Sequence, residues 1–480
     1  MDHILYWNGV ALEANRRDFS NEPGKDKPNP EQGGPTLSSR ALAIVHLAMY
    51  DAHAGVINSP ALPRYLSSPA SPAVGASAAA AVAAAVHACL SALYPRQKPH
   101  FDTAHQAAGL SGPGLAGGHN FGLAVAQAVL AERSSDPGAS DNGYAASMHP
   151  GGHRPDPANP GQGHHAPFYG ARSKCFAVTA RHGLDVPPAQ GGAEYDKAVK
   201  QVRGKGITPE LMGTLPTSYS KRTVDETLIG LYWAYDGPRE LGTPPRLYNQ
   251  IVREVAVSKG NSVDDNARLF AFVNAAMGDA GILAWDQKYI HDFWRPVVGI
   301  REHDESMGPA APTPTNNIDN DCDPAWLPLG APASNSADRN FTPPFPAYPS
   351  GHATFGAAAF HIVRLFYGVP AGNRAADTVY SGTFVSDELN GVTRDNAGTV
   401  RPRHVRAFPR GLWQMIEENG FSRVFLGVHW SFDAFALDGG GKPDLTRNIG
   451  GVPLGLKIAE NIFAAGGGKA PVKSTVGPRP

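Results

Sequence analysis

The sequence predicts an all-α protein, with two four-helix-bundle-like halves fused into one large helical domain that carries long loops. Three observations carry this expectation. Apolar residues recur at helical spacing along most of the chain, and the strict apolar–polar alternation of half-buried strands is scarce. Gly 54 and Pro 43 make up roughly a fifth of the 480 residues, so long irregular connections must separate the regular elements.

In the first half the periodic segments are Arg40 to Val56, Ala76 to Tyr94, Gly118 to Arg133 and Gly192 to Val202. Alanine-rich faces on the first three allow close approach of helix axes. In the second half Thr223 and Glu226 form a capping box opening a helix toward Tyr235. Further helices are expected over Pro245 to Ser258, Asp265 to Arg295 with a break near Gly278, His352 to Tyr367, Phe408 to Asn419, His429 to Leu437 and Pro453 to Ala465. The expected division is an N-terminal bundle over residues 1–205, a C-terminal bundle over 206–465 and a flexible tail over 466–480. Three stretches read as loops longer than ordinary connections, Asp136 to Gly170, Glu302 to Pro349 and Thr378 to Pro402, a length that marks function or packed covering.

Lys and Arg total 42 against 43 for Asp and Glu, a net charge of -1, which argues against a nucleic-acid partner. The alanine-rich stretch Ala76 to Tyr94 is too weakly hydrophobic to favour a membrane span. No signal peptide is visible, so the expected location is cytoplasmic, or outside the cell by a route without a recognisable leader. Three cysteines cannot build a disulfide framework.

Three local patterns carry chemistry. Lys288 and Arg295 lie seven residues apart in WDQKYIHDFWRP, so on a helix both cations would leave nearly one face, with Pro296 placing the arginine at the helix end. In PPFPAYPSGHATFG, four prolines hold an extended approach to Ser350 at an N-cap position, followed by Gly351 and His352. A helix N-terminus offers free N–H groups and a positive dipole end to an anion, glycine lets a ligand approach the backbone, and the histidine can exchange protons. In SRVFLGVHWSFDA, Arg423 and His429 would diverge on one continuous helix and converge only if the backbone breaks, for which Gly427 offers a place. Asp433, one turn beyond His429, can take the ring N–H and fix which nitrogen faces the cleft. Two arginines, a lysine, a hydroxyl and a helix N-terminus together suit a tetrahedral oxyanion, with two histidines left for chemistry.

These motifs, with YWAYDG, GTPPRLYNQIVRE and SDELNGV around them, resemble the vanadium-dependent haloperoxidases, which share their oxyanion pocket with the type 2 phosphatidic acid phosphatases. The likeness is to the chloroperoxidase branch and runs at least from Tyr232 to Asp433. It implies vanadate as cofactor, with phosphate able to occupy the same site, His429 as the vanadium ligand, and Lys288, Arg295, Ser350, Gly351 and Arg423 around the vanadate oxygens. It further implies His352 as acid–base group, Lys288 as the residue that polarises peroxide, and Asp236 as the partner of Arg423. Trp285 and Phe345 match an apolar wall beside the halide, where bromide-selective relatives carry His at the Phe345 position. The implied reaction oxidises chloride and bromide with hydrogen peroxide to hypohalous acid, which halogenates small organic acceptors. The alternative is a phosphomonoester hydrolase using the same pocket through a phosphohistidine at His429; a third is a silent oxyanion-binding protein.

Two weaker patterns remain. His153, His164 and His165 in a Gly/Pro-rich loop could bind a divalent metal. Asp319, Asp321 and Asp323 alternate like the start of a calcium loop, but without its glycine turn and closing glutamate they read as a solvated acidic loop.

Overall fold

A computed structural model of the 480-residue chain describes residues 2–20, 30–69, 71–304, 306–309 and 321–479. With 48% of residues helical and 4% in strands, the all-α expectation holds. The described helices are α1 (His3–Asp18), α2 (Gly34–Ile57), α3 (Ala78–Leu93), α4 (Lys98–Ala107), α5 (Leu115–Glu132), α6 (Tyr169–Arg172) and α7 (Ala193–Lys205) in the first part. The second part contains α8 (Val224–Tyr232), α9 (Pro244–Lys259), α10 (Val263–His291), α11 (Pro296–Gly299), α12 (Gly351–Phe366), α13 (Gly411–Phe425) and α14 (Gly451–Ala465). Among the described residues strands are confined to two antiparallel pairs, Thr383–Phe384 with Arg406–Ala407 and Ala436–Leu437 with Pro443–Asp444.

The axis of the molecule is α10. Ser262 and Asp265 form its capping box, and from Leu269 to Lys288 the whole circumference is buried. It packs on α2 from the first half and on α12 and α14 from the second, so one hydrophobic cluster runs through both. A helix buried on every face belongs to the core, and the polar residues within this stretch, Asn274, Asp279 and Lys288 among them, are hydrogen-bonded. Among the described residues α10 alone is long and apolar enough to cross a membrane, and 94% of its apolar window is buried inside the protein. The break expected near Gly278 does not occur. A Cβ there would lie 2.8 Å from the Phe176 ring and 3.0 Å from Ala43 Cβ, so the glycine serves close packing of α10 against α2 and the 176 loop.

Several other expectations are corrected. Helix α1 went unforeseen, because its buried face mixes Ile4, Trp7, Ala11 and Leu12 with the buried asparagines Asn8 and Asn15. Helix α4 was also missed. The helix expected over Phe408 to Asn419 starts later and runs on to Phe425, carrying Arg423 in its last turn. The helix expected over His429 to Leu437 is instead a 3₁₀ turn, Ser431–Asp433, followed by a short strand, because Asp433 turns back to accept from the Trp430 N–H at 2.9 Å.

The tail is not a flexible appendage. After the glycines at 466–468 the chain lies as a strap along the 171–178 loop. Ser474 N–H donates to Phe176 C=O (2.8 Å), Val476 C=O accepts from Cys175 N–H (3.0 Å), and Arg479 N–H donates to Ala171 C=O (2.7 Å). Arg479 also reaches Asp286 of α10 at 3.1 Å. Each net hydrogen bond contributes about 1 kcal/mol. Truncation after Gly468 is therefore expected to cost about 3 kcal/mol and to lower the melting temperature by several degrees in calorimetry, with the helical circular dichroism spectrum retained at 25 °C.

Candidate functional site

The three sequence patterns meet at one place, and the backbone does the joining. Helix α10 ends at Asp292, which takes a left-handed conformation (φ 45°). Lys288 thus sits in the last turn, while Arg295 lies beyond the helix as the residue leading into α11. The two cations do not share one helix face, as the seven-residue spacing suggested; the chain turns between them and brings Arg295 in from the side. Ser350 caps α12, and its own N–H donates to Asp433 C=O at 2.7 Å, tying the PSGH turn to the turn that follows His429. The break between Arg423 and His429 falls at Gly427 as expected. Its φ is 73°, and a Cβ there would lie 2.4 Å from Gly206 C=O.

The side chains at this junction are buried. Arg295 is 0% and Arg423 1% exposed. Arg295 donates from Nε to Phe345 C=O (2.8 Å) and from Nη1 to Val428 C=O (2.7 Å) and His429 Nε2 (2.9 Å), while its Nη2 has no partner. Arg423 forms a bidentate pair with Asp236, at 2.9 and 2.7 Å, while its Nε has no partner. Buried donors without acceptors are costly. Two guanidinium edges left open in one dry site are what an oxyanion with several acceptor oxygens satisfies.

His429 adds a lone pair to these donors. Arg295 Nη1, which can only donate, lies 2.9 Å from Nε2, so Nε2 is the unprotonated nitrogen, and the ring proton sits on Nδ1, 2.7 Å from Asp433 Oδ2. Burial and the neighbouring cations Arg295, Lys288 and Arg423 drive the His429 pKa well below its ordinary value, keeping that lone pair free. Burial raises Asp433 to about 7, opposed by Lys288, its Trp430 N–H bond and Arg295. His352, at the first turn of α12, donates from Nε2 to Ala234 C=O at 2.6 Å, leaving Nδ1 as the nitrogen without a partner among the described residues. Burial and Arg423 lower its pKa to about 3, so it stands as a neutral base. The N–H groups of Gly351 and His352 open α12 and have no acceptor within the helix. Burial, opposed by Asp433 and reinforced by Arg423, lowers Arg295 to about 9.

Lys288 differs from the others. It is wholly buried, and its ammonium donates to the backbone carbonyls of Pro346 (2.7 Å), Ala347 (3.0 Å) and Pro349. Three protons are taken by three carbonyls, so the lysine braces the proline-rich approach from beneath and must release one carbonyl to reach a ligand. Trp285 and Phe345 stand beside this floor with ring centroids 4.7 Å apart. Phe345 carries Lys288 at 5.1 Å and Arg295 at 4.9 Å over its ring, so its quadrupole replaces part of the water these cations lack. A Cβ on Gly351 would lie 3.3 Å from the Trp285 ring, which places the helix N-terminus directly against the aromatic wall.

A cavity of about 130 Å³ opens beside these groups, lined by Asp236, Gly351, His352, Arg423 and His429 together with Trp285, Phe341, Pro343, Pro344 and Phe345; Lys288, Arg295 and Ser350 are not part of its lining. Sequence reasoning missed part of its lining. Gly34 and Pro35 come from the start of α2, and His165, grouped in the sequence with a metal-binding histidine loop, faces this cavity. That loop holds no metal cluster among the described residues. His153 and His164 pair edge to face at 5.5 Å without a third ligand, while His165 turns away to Thr36. In the acidic loop, Asp321 lies 3.4 Å from Lys200 and Asp323 3.8 Å from Arg203, as ion pairs. Asp319 lies outside the described residues.

Helical packing that buries cations around open donor edges and one histidine lone pair defines a class, the oxyanion-binding α-helical enzymes. The family within that class follows from comparison. Residues 1–111 match the vanadium chloroperoxidase N-terminal domain and residues 268–442 its second helical-bundle domain. Vanadium chloroperoxidase of Curvularia inaequalis is 36% identical over 574 residues, covering 97% of this chain and 90% of that protein. This chain belongs to the vanadium chloroperoxidase family, the vanadate-dependent haloperoxidases. Two crystal structures share the fold. A bacterial vanadium-dependent iodoperoxidase has a TM-score of 0.61 at 17% identity, covering 96% of each chain. An apo-type bacterial vanadium-dependent chloroperoxidase has a TM-score of 0.58 at 15% identity, covering 91% of this chain and 94% of that one.

The hydrogen bond from His429 Nδ1 to Asp433 decides which nitrogen is free. In Asp433→Asn the amide can donate to Nδ1, moving the ring proton to Nε2. Nitrogen-15 spectra are expected to show Nε2 unprotonated in the parent and protonated in the variant, and vanadate affinity by equilibrium dialysis should fall about 10–100-fold. Unchanged affinity would remove Asp433 from any role in setting the tautomer.

Proposed function

We propose that the protein binds vanadate in this cavity and oxidises chloride and bromide with hydrogen peroxide to hypohalous acid, which then halogenates small organic acceptors. The donor set fits the cofactor. His429 Nε2 would be its protein ligand, and Arg295 Nη2, Arg423 Nε, the Ser350 hydroxyl and the Gly351 N–H would hold its oxygens, with Lys288 joining once it releases a carbonyl. When bound, vanadate supplies an electrophilic centre that takes up peroxide and makes it open to attack by halide.

Each remaining group has its own task. Nδ1 of His352, neutral and unpartnered, accepts a proton from hydrogen peroxide as it enters, and Arg423 beside it favours return of that proton. Asp236 holds Arg423 by two parallel bonds, which fixes the direction of the guanidinium's open edge. Trp285 and Phe345 remove water from the incoming halide, and removing water strengthens every charge interaction in the pocket.

The observation that carries this reading is the aromatic wall packed against the N-terminus of α12. A phosphomonoester hydrolase would use the same donors, with His429 Nε2 as nucleophile, but it needs room for an organic leaving group. Here the space beside the donors is a small cavity faced by Trp285, Phe345 and Phe355. Halogenation of a diketone reporter with and without vanadate, set beside hydrolysis of p-nitrophenyl phosphate by the vanadate-free protein, separates the two. Vanadate-dependent halogenation with negligible ester hydrolysis is expected; the reverse overturns the reading.

Two variants sharpen the assignment. His429→Ala should abolish vanadium retention through gel filtration, since it removes the sole proposed protein ligand and leaves the cations. Phe345→His should lower chloride turnover more than bromide turnover while changing vanadate affinity by less than about tenfold, because chloride is harder to oxidise and depends more on the dry wall. Steady-state rates with both halides on fully loaded protein read this ratio; equal losses would remove Phe345 from halide selection.

A further inference from the structure

His165 enters the cavity with no task assigned by the reading above. Its backbone is bolted to both elements of the aromatic wall. The His165 N–H donates to Pro344 C=O at 2.7 Å, and its own carbonyl accepts from Trp285 Nε1 at 3.2 Å and from the Tyr289 hydroxyl at 2.8 Å. The ring stands edge-on to Trp285, with centroids 6.0 Å apart at 86°, and 6.1 Å from Phe345.

The far side of the ring rests on the start of α2. Gly34 has a φ of 70°, and a Cβ there would lie 2.4 Å from His165 Cε1, so this glycine makes the space the imidazole fills. Thr36 Oγ1 meets Nε2 at 2.8 Å. The arrangement that leaves the buried Thr36 O–H with an acceptor gives its proton to Nε2, which assigns the ring's own proton to Nδ1. Nδ1 has no acceptor among the described residues. Burial drives the His165 pKa down to about 4, so the ring is a neutral N–H donor across the neutral range.

We propose that His165 is a specificity-determining contact of the halide site, its Nδ1–H donating to a halide held against Trp285 and Phe345. A wall built from carbon alone dehydrates an anion without returning a hydrogen bond. Chloride is smaller than bromide, loses more on dehydration and accepts a stronger hydrogen bond, so one fixed N–H recovers more for chloride. The same ring spans from the first half of the chain to the wall built by the second.

This inference rests on the halide-oxidising reading, and the experiment separates the two. The parent, His165→Leu and His165→Asn are loaded with vanadate, uptake is measured by equilibrium dialysis, and kcat/KM is determined for chloride and bromide. His165→Leu is expected to lose about tenfold in chloride kcat/KM, about 1.4 kcal/mol, and about threefold or less for bromide, with vanadate uptake retained; His165→Asn, which keeps an N–H, restores most of the ratio. Crystals of the vanadate-free protein soaked in bromide give a second readout: an anomalous peak within hydrogen-bond reach of Nδ1 in the parent, lost or displaced in His165→Leu. Equal losses for both halides, or a bromide peak remote from His165, would overturn the contact even if the parent is an active haloperoxidase. A parent that oxidises neither halide overturns the functional reading itself.

Discussion

Burying a guanidinium is expensive, and at this one site the protein buries two of them beside a lysine from the end of its central helix. The arrangement stands because each cation is partly compensated in its own way. Arg423 has a full carboxylate partner in Asp236, Arg295 spends three bonds on two carbonyls and a histidine, and Lys288 spends its three protons on the carbonyls of a proline-rich turn. Compensation stops short of completion, with one nitrogen of each guanidinium open. The turn at Asp292, the cap at Ser350 and the break at Gly427 all serve this balance, since each bends backbone so that carbonyls or N–H groups reach the buried charges.

The same constraint explains why the site is built from three turns rather than from one helix face. Helical side chains diverge from the axis, and cations on one face repel unless separated by a turn or more. Bringing Arg295 from beyond the end of α10, Ser350 and Gly351 from the start of α12, and His429 from the turn after α13 lets main-chain dipoles enter between the charged groups. The Ser350–Asp433 bond joins two of these turns directly, so the histidine and the helix N-terminus keep a fixed relation.

Much of this was legible in the sequence where the signal is local. The capping box at Thr223 and Glu226, the N-cap at Ser350 and the break at Gly427 each depend on a few neighbouring residues and appear as expected. What was not legible depends on distant partners. Helix α1 hides its apolar stripe among Asn8 and Asn15, whose amides are satisfied by His46 of α2 and by Thr243 at the start of α9. The four-residue spacing of His429 and Asp433 suits an α-helix, and only the return of Asp433 to the Trp430 N–H shows the turn that forms instead. Nothing near Lys288 signals that its protons go to a segment some sixty residues away. The glycines at 466–468 read as a flexible tail because the loop that receives the strap lies about three hundred residues earlier.

The spread of the cavity lining along the chain has a consequence for the order of events during synthesis. Gly34 and Pro35 are made early, Trp285, Gly351 and His352 much later, and Arg423 and His429 later still. A ribosome exit tunnel still encloses the most recently joined residues, so the turn that carries His429 emerges after α10 and α12, and the strap that crosses the 171–178 loop emerges after that turn. A nascent fragment that stops short of α13 holds neither the open edge of Arg423 nor the histidine lone pair. The donors of this cavity are thereby assembled only after the turn behind α13 has emerged, and not by formation of the first bundle.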